Sequence, residues 1–119
     1  MILFLKHKWF DMIVSGEKDE EYREYKKFYT PRLLNLRRNF DKGKSYIELR
    51  RGYSKTAIKI ECESVWLYSW SGDLFHSPET VIHLWGDVFP TSNIFKRPEW
   101  GFDSTKETII FKFKKAGGV

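Results

Sequence analysis

The sequence predicts an α+β fold in which a mixed sheet curls into a partly closed β-barrel and two or three short helices pack against it. Helical spacing of apolar residues is confined to the first 42 or so positions, and each predicted strand is short or alternates between apolar and polar residues. After the second helix the chain reads as strands and loops, which argues against a parallel doubly wound sheet. A length of 119 residues suits one domain, and we expect residues 1–119 to fold as one unit.

The first predicted elements are a strand, a helix and a second strand. The strand is the short run Ile2–Lys6. The apolar residues that follow it at helical spacing are Trp9, Phe10, Ile13 and Val14. Ser15-Gly16 is a typical helix end, and residues 17–25 are predicted to form the second strand.

The second helix has clear sequence signals at its start. Thr30 is a preferred N-cap residue, and Pro31 is favoured at the first helical position. One apolar face is predicted for this helix, formed by Leu33, Leu34, Leu36 and Phe40. The helix is expected to close at 41–43, and a third strand is expected over 46–51 before Gly52 turns the chain.

The strand with the clearest pattern begins at Ile58, because apolar and charged residues alternate from there to Glu63. The apolar positions are Ile58, Ile60 and Cys62. We expect the strand to continue to Trp70 across a bulge near Ser64.

The C-terminal half is less regular. Ser71-Gly-Asp73 is predicted to be a turn, residues 79–85 either a short helix or a strand, and residues 86–106 a long ordered loop. In the last strand, Ile109, Phe111 and Phe113 alternate with Ile110, Lys112 and Lys114. That alternation predicts a strand with one buried and one exposed face.

Positive charge is concentrated in the first half of the chain. Residues 1–59 carry fifteen Lys and Arg against eight Asp and Glu, whereas residues 60–119 carry six against eight. Twelve of the basic residues and three acidic ones lie within 23–59. This asymmetry predicts a surface that attracts phosphate, although an ordinary solvated surface would also account for it.

No membrane-spanning, targeting, metal or cofactor-binding segment is predicted. The run Met1–Leu5 is too short for a signal sequence, and its basic residues follow it; with the lone Cys62, this predicts a cytoplasmic protein without disulfides. His7, His76 and His83 lack the spacing of metal ligands. The carboxylates that could join the last two are Asp73, Glu79 and Asp87, but their spacing does not require it.

The segment from Gly16 to Arg23 is the strongest functional marker in the chain. Gly16 lets the chain reverse at the helix end, and Lys18 follows in the turn, from which its flexible ammonium group can reach over a cleft. Glu21 and Arg23 are two apart on a predicted strand, so they share one face and lie about 7 Å apart along it. They can pair and close the barrel, or present an acceptor and a donor fork to a base or phosphate. The two interpretations are compatible.

The pattern G-x-K-x-x-E-x-R, preceded by a strand and a helix and followed by a strand, resembles the signature of the ASCH domain, a family of PUA-like β-barrels. Arg50-Arg-Gly52-Tyr53-Ser also resembles the strand and turn of phage and bacterial members. The resemblance covers residues 1–68 and, loosely, the last strand, and it makes 71–106 a lineage-specific insertion. It implies a PUA-like mixed barrel that binds RNA or a nucleotide at the motif.

The predicted binding site combines the motif with nearby cations and rings. Lys18, Glu21 and Arg23 are expected to line the cleft. The residues predicted to position phosphates or stack on bases around it are Lys6, Lys8, Arg50, Arg51, Tyr53 and Lys55. Each could instead be an ordinary surface residue. Trp70 and Trp100 are further stacking candidates, with packing in the core as the alternative.

Three functions follow as hypotheses. The first is a non-catalytic or weakly catalytic module that binds RNA or a modified nucleotide. The second is a hydrolase of a modified nucleoside or of RNA, with Glu21 as base and Lys18 as electrostatic stabiliser. Some ASCH-like proteins resemble hydrolases of acylated cytidine that place a Thr three residues after the motif Lys, and Glu21 departs from that pattern. The third is a protein-interaction adaptor that uses the aromatic stretch 66–70 and the loop 86–106. The oligomeric state stays open.

Overall fold

The computed structural model describes residues 1–43, 45–70, 79–86 and 94–114, which form a curled mixed sheet and two α-helices. The helices are α1 (His7–Val14) and α2 (Tyr29–Asp41). The strands are β1 (Ile2–Leu5), β2 (Glu20–Glu24), β3 (Tyr46–Arg51), β4 (Ala57–Trp70), β5 (Glu79–Gly86) and β6 (Thr108–Phe113). A 3₁₀ turn covers Pro98–Trp100. The predicted α+β class, with a curled mixed sheet and short helices, is confirmed.

The sheet is organised around the long strand β4. The strand order is β1-β3-β4-β6-β2, and β5 also pairs with β4. The β1–β3 pair is parallel, whereas the other pairs are antiparallel. The register of β4 shifts between Cys62 and Ser64 and again between Val65 and Trp66. These irregularities confirm the predicted bulge near Ser64, and they let one strand bend to pair with β3 first and with β5 and β6 later.

The two end strands of the sheet, β1 and β2, face each other across a gap that we call the seam. Among the described residues they share no backbone pairing. A side chain bridges them instead, because Arg23 in β2 donates from Nη2 to the carbonyl oxygen of Phe4 in β1 over 2.6 Å. The sheet is therefore a half-barrel whose open side is spanned by the last residue of the motif.

The two helices pack on the sheet through narrow apolar faces. Helix α1 buries Phe10 and Ile13 and ends as predicted, with Gly16 at φ +81°. Helix α2 begins at Tyr29 rather than after a Thr30 cap. The predicted cap is wrong because the Thr30 hydroxyl lies 2.7 Å from the Tyr25 phenol oxygen instead of bonding the helix start.

The predicted apolar face of α2 is wrong in one residue. Leu33 and Leu36 are buried, whereas Leu34 is 48% exposed. Leu33 and Leu36 lie on one side of the helix because they are three residues apart, and Leu34 is rotated about 100° from Leu33.

Strand β6 is buried along its whole length, so the prediction of a half-buried strand is wrong. Its Ile109, Phe111 and Phe113 join the main core, as expected. Its opposite face is covered by the segment 94–102, so that Ile110 packs with Phe102 in a second cluster. The other buried members of that cluster are Trp66 and Tyr68.

Residues 79–86 form strand β5, which resolves the ambiguity over 79–85 in favour of a strand. The predicted turn at 71–73 lies outside the described residues, as do positions 87–93 of the predicted loop. The described part of that loop, from residue 94 onward, is irregular apart from the 3₁₀ turn. Within the described ranges, no helix is long and apolar enough to cross a membrane.

Candidate ligand-binding site

The three charged residues of the motif converge at the seam. The reversal at Gly16 is fixed by a hydrogen bond from the Lys18 backbone N–H to the carbonyl of Met12 (3.0 Å). The Lys18 ammonium group then donates to Glu21 Oε1 over 2.7 Å. Arg23 donates from Nε to Glu21 Oε2 over 3.0 Å. One carboxylate is thus held between two cations, as the barrel-closing interpretation of the motif predicted.

Lys18 lies beneath the cleft rather than in its wall. Its side chain has no exposed surface, and the Glu21 side chain is 6% exposed. The Lys18 ammonium group lies 4.6 Å from the centre of the Trp9 ring and 5.9 Å from that of Tyr22. Burial lowers the pKa of Lys18, and the charge and hydrogen bond of Glu21 oppose that shift. Lys18 therefore orients Glu21 from below.

A cleft of about 280 Å³ opens at the seam above this ion pair. Strand β1 and the start of α1 form one side, strand β2 the second, and the end of the 3₁₀ turn with Gly101 the third. The residues that line the cleft are Phe4, Lys6, Trp9, Glu21, Tyr22, Arg23, Trp100 and Gly101. Its volume lies near the lower end of the roughly 300–1,000 Å³ typical of small-molecule sites. Four aromatic rings, two cations and one carboxylate therefore meet in a space suited to a single small ligand.

The cleft retains donors that the fold does not use. Arg23 donates from Nε to Glu21 Oε2, and its Nη2 group lies 2.8 Å from the same oxygen and donates to the Phe4 carbonyl. Within the part of the chain that the structure describes, its Nη1 group has no hydrogen-bond partner, and the side chain is 24% exposed. Lys6 is exposed at the cleft rim. Two cations thus line a partly apolar space, an arrangement that attracts an anionic ligand carrying a ring.

Two further predicted residues contact Phe4, which lines the cleft. The Arg50 guanidinium lies 5.7 Å from the Phe4 ring centre, and Arg50 also pairs with Glu48 over 2.7 Å. The Tyr53 ring centre lies 5.6 Å from that of Phe4. Arg50 and Tyr53 therefore flank Phe4 beside the cleft, and neither of them lines it.

The remaining predicted residues are less directly placed. The Lys8 ammonium group lies 4.6 Å from the centre of the Trp9 ring, which lines the cleft, but Lys8 itself does not line it. Arg51 forms a bidentate pair with Asp11 at 2.9 and 3.0 Å, which ties β3 to α1. Lys55 is exposed in the turn between β3 and β4.

Of the wall formed by the segment 94–102, sequence reasoning identified only Trp100, as a stacking candidate. Trp100 is 7% exposed, so it packs as the alternative predicted, yet it still lines the cleft. Gly101 at φ +93° also lines the cleft and lies beside the Trp9 ring. The only sequence signal at these two positions is the run Pro-Glu-Trp-Gly, which is typical of a turn and does not indicate a binding site.

This wall is held by Glu20, whose side chain is fully buried on the other face of β2. Its carboxylate accepts hydrogen bonds from the backbone N–H groups of Phe95 (2.7 Å) and Lys96 (3.1 Å). It also accepts from the Tyr22 hydroxyl at 2.6 Å and the Lys112 ammonium group at 3.3 Å. The segment that completes the cleft is therefore fastened to the strand that carries the motif.

Other candidate chemistry finds little support among the described residues. They contain no cluster of three potential metal ligands. Cys62 is buried, and burial raises the pKa of its thiol, as expected of an inert core residue. The His83 ring packs edge-on against Trp66 at 4.6 Å. The side chains of the other proposed metal ligands and of Trp70 lie outside the described part of the structure.

The aromatic stretch proposed as an adaptor surface is mostly in the core. Trp66 and Tyr68 are 2% and 1% exposed. Trp66 donates to the Ser64 hydroxyl over 2.9 Å, and the Tyr68 hydroxyl donates to the Ser104 carbonyl over 2.9 Å. These two rings are therefore not available to a protein partner in this structure.

Comparisons with known proteins return no relative: no protein-family model, no curated protein and no solved structure matches this chain.

Proposed function

We propose that this protein is a PUA-like module of the ASCH type that binds RNA or a modified nucleotide, with one nucleotide unit in the seam cleft. The observation that carries the proposal is the composition of that cleft. It combines aromatic rings from four different elements with the unused Nη1 group of Arg23 and the exposed cation Lys6. Rings can stack on a base while guanidinium and ammonium groups hold a phosphate.

The geometry favours binding over hydrolysis. A general base needs a lone pair within reach of a proton on the substrate or on water. Both oxygens of Glu21 already accept from cations, and its side chain is 6% exposed. Lys18 is covered by Trp9. In this arrangement Glu21 serves to orient Arg23, and the hydrolase becomes the second candidate.

The test is a calorimetric titration of the whole chain with the four ribonucleoside 5′-monophosphates. We expect at least one to bind, and we expect Lys6→Glu to weaken it by roughly tenfold or more, since a charge-assisted hydrogen bond is replaced by repulsion. The matched control is Lys42→Glu, which makes the same change of charge on an exposed residue after α2.

Two outcomes would count against the proposal. Failure of all four monophosphates to bind would contradict it, and so would equal loss of affinity in Lys6→Glu and Lys42→Glu. Turnover of an acylated nucleoside by the native chain, abolished in a folded Glu21→Gln variant, would favour the hydrolase instead.

A further inference from the structure

The cleft continues into an exposed pair of aromatic rings, which we call the Phe4–Tyr53 platform. Phe4 lines the cleft and is nevertheless 44% exposed. Tyr53 is 96% exposed, and its ring plane is inclined by 35° to that of Phe4 at a centroid distance of 5.6 Å. The two rings form one apolar surface that leads outward from the cleft.

The platform is held in place by the backbone rather than by burial of its rings. Phe4 lies opposite Arg50 in the parallel pairing of β1 and β3. Gly52 then turns the chain at φ +59° and donates its N–H to the Leu5 carbonyl over 2.7 Å. The positive φ favours glycine at this turn, and a Cβ atom on Gly52 would also lie 2.9 Å from Nε2 of the His7 side chain. Tyr53 is thus presented on a fixed turn.

Single exposed hydrophobic residues are common and need no explanation. The platform differs because two rings contact each other, an arginine guanidinium lies over one of them, and the surface continues into a site lined by cations. A fixed aromatic surface beside phosphate-binding groups is the arrangement on which single-stranded nucleic acids stack their bases.

We infer that the platform is a second subsite of the cleft, which stacks the base next to the nucleotide that the cleft holds. The ligand is then a single strand of two or more nucleotides rather than a free mononucleotide. This inference rests on the proposed function, because it needs the first nucleotide in the cleft. Phe4 joins the two subsites, since it contributes to both.

The test compares mononucleotides with dinucleotides in the native chain and in two variants. The probes are AMP and UMP and the 5′-phosphorylated dinucleotides pApA and pUpU. We expect Tyr53→Ala to weaken dinucleotide binding by about 5-fold to 150-fold, the range for loss of one stacked base, and to leave mononucleotide binding unchanged. Tyr53→Phe keeps the ring and should bind like the native chain. Because Tyr53 is 96% exposed, neither change should disturb folding.

The outcomes distinguish failure of this inference from failure of the proposed function. If mononucleotides bind through Lys6 but dinucleotides bind no more tightly, or if Tyr53→Ala binds them normally, the second subsite is wrong and the proposed function stands. If no nucleotide binds, both proposals fail. If Tyr53→Ala abolishes a protein complex while dinucleotide affinity is unchanged, the platform belongs to a protein partner and the inference is overturned.

Discussion

Lys18 and Glu21 form the buried ion pair of the motif. Their side chains are 0% and 6% exposed, so two opposite charges are held almost without water. Such a pair costs desolvation free energy and is tolerated only when its hydrogen bonds are well made. Here the second oxygen of Glu21 accepts a hydrogen bond from Arg23, and Arg23 in turn donates to the Phe4 carbonyl across the seam. The ion pair therefore positions Arg23, which reaches the cleft.

We expect Lys18→Met to lower the free energy of unfolding by about 3 kcal/mol or more, because it leaves Glu21 buried with only one of its two cations. Chemical denaturation measures the change. The matched control is Lys26→Met on the exposed pair with Glu24, whose side chains are 56% and 43% exposed. That change should cost no more than about 1 kcal/mol. Equal losses in the two variants would show that Lys18 has no special structural role.

Tyr22 gives the stability a dependence on alkaline pH. Burial, followed by its hydrogen bond and the charge of Glu20, raises the pKa of Tyr22 above its usual 10.0. The unfolded chain loses this proton near pH 10 while the folded chain keeps it, so the folded state binds more protons and its stability falls as pH rises further. Below pH 10 the contribution of Tyr22 is fully present.

Accordingly, the stability advantage of the native chain over Tyr22→Phe should be constant below about pH 10 and shrink above it. Urea denaturation of both proteins between about pH 8 and 11 measures the difference, and groups common to both cancel. A difference that stays constant across this range would show that the Tyr22 phenol titrates normally.

At the scale of elements, the cleft depends on how the segment 94–102 is attached. Glu20 accepts from two successive backbone N–H groups, and the Tyr22 hydroxyl accepts from the Arg97 N–H over 3.0 Å. The Lys112 ammonium group also lies 4.4 Å from the centre of the Phe95 ring. Strand β2 thus presents the motif on one face and holds the opposite wall of the cleft with the other.

Glu20→Gln should loosen this wall without unfolding the sheet, because an amide offers one acceptor oxygen where the carboxylate offers two. We expect the amide hydrogens of Phe95 and Lys96 to exchange at least about tenfold faster, while those of β4 and β6 stay protected. Hydrogen exchange followed by NMR resolves these positions. Glu24→Gln is the control, since that residue is exposed on the same strand. Equal exchange in the two variants would rule out Glu20 as the attachment.

Sequence reasoning succeeded where the signal was local. Lys18, Glu21 and Arg23 lie within one reversal and one strand, so their spacing alone places them together, and the bulge of β4 follows from a shift in its alternation. It failed where the burial of a side chain depends on contacts with residues far away in the sequence. Lys112 was expected to face water, but the segment 94–102 covers it. Glu20 meets Phe95 across 75 positions, and nothing in either segment indicates that contact.

At the scale of the whole molecule, the charge asymmetry is weaker than composition suggests. Several of the basic residues within 23–59 are neutralised by acidic neighbours. The pairs are Arg23–Glu21, Lys26–Glu24, Arg50–Glu48 and Arg51–Asp11. Helix α2 keeps exposed arginines, but the pocket that it lines is apolar and distinct from the seam cleft. Binding should therefore be governed by the cleft and its platform rather than by a broad basic surface.

The salt dependence of binding distinguishes these two cases. If the phosphates are held only by Lys6 and Arg23 in the cleft, these two contacts predict that the logarithm of the affinity falls with the logarithm of salt concentration with a slope of about −1.4, and lengthening the strand from pUpU to an octanucleotide leaves this slope unchanged. Reversing Arg37 and Arg38 to Glu on α2 should not alter it, whereas Lys6→Glu should make it shallower by about 0.7. A slope that steepens steadily with strand length, and that flattens on reversal of the α2 arginines, would instead assign binding to the basic surface as a whole.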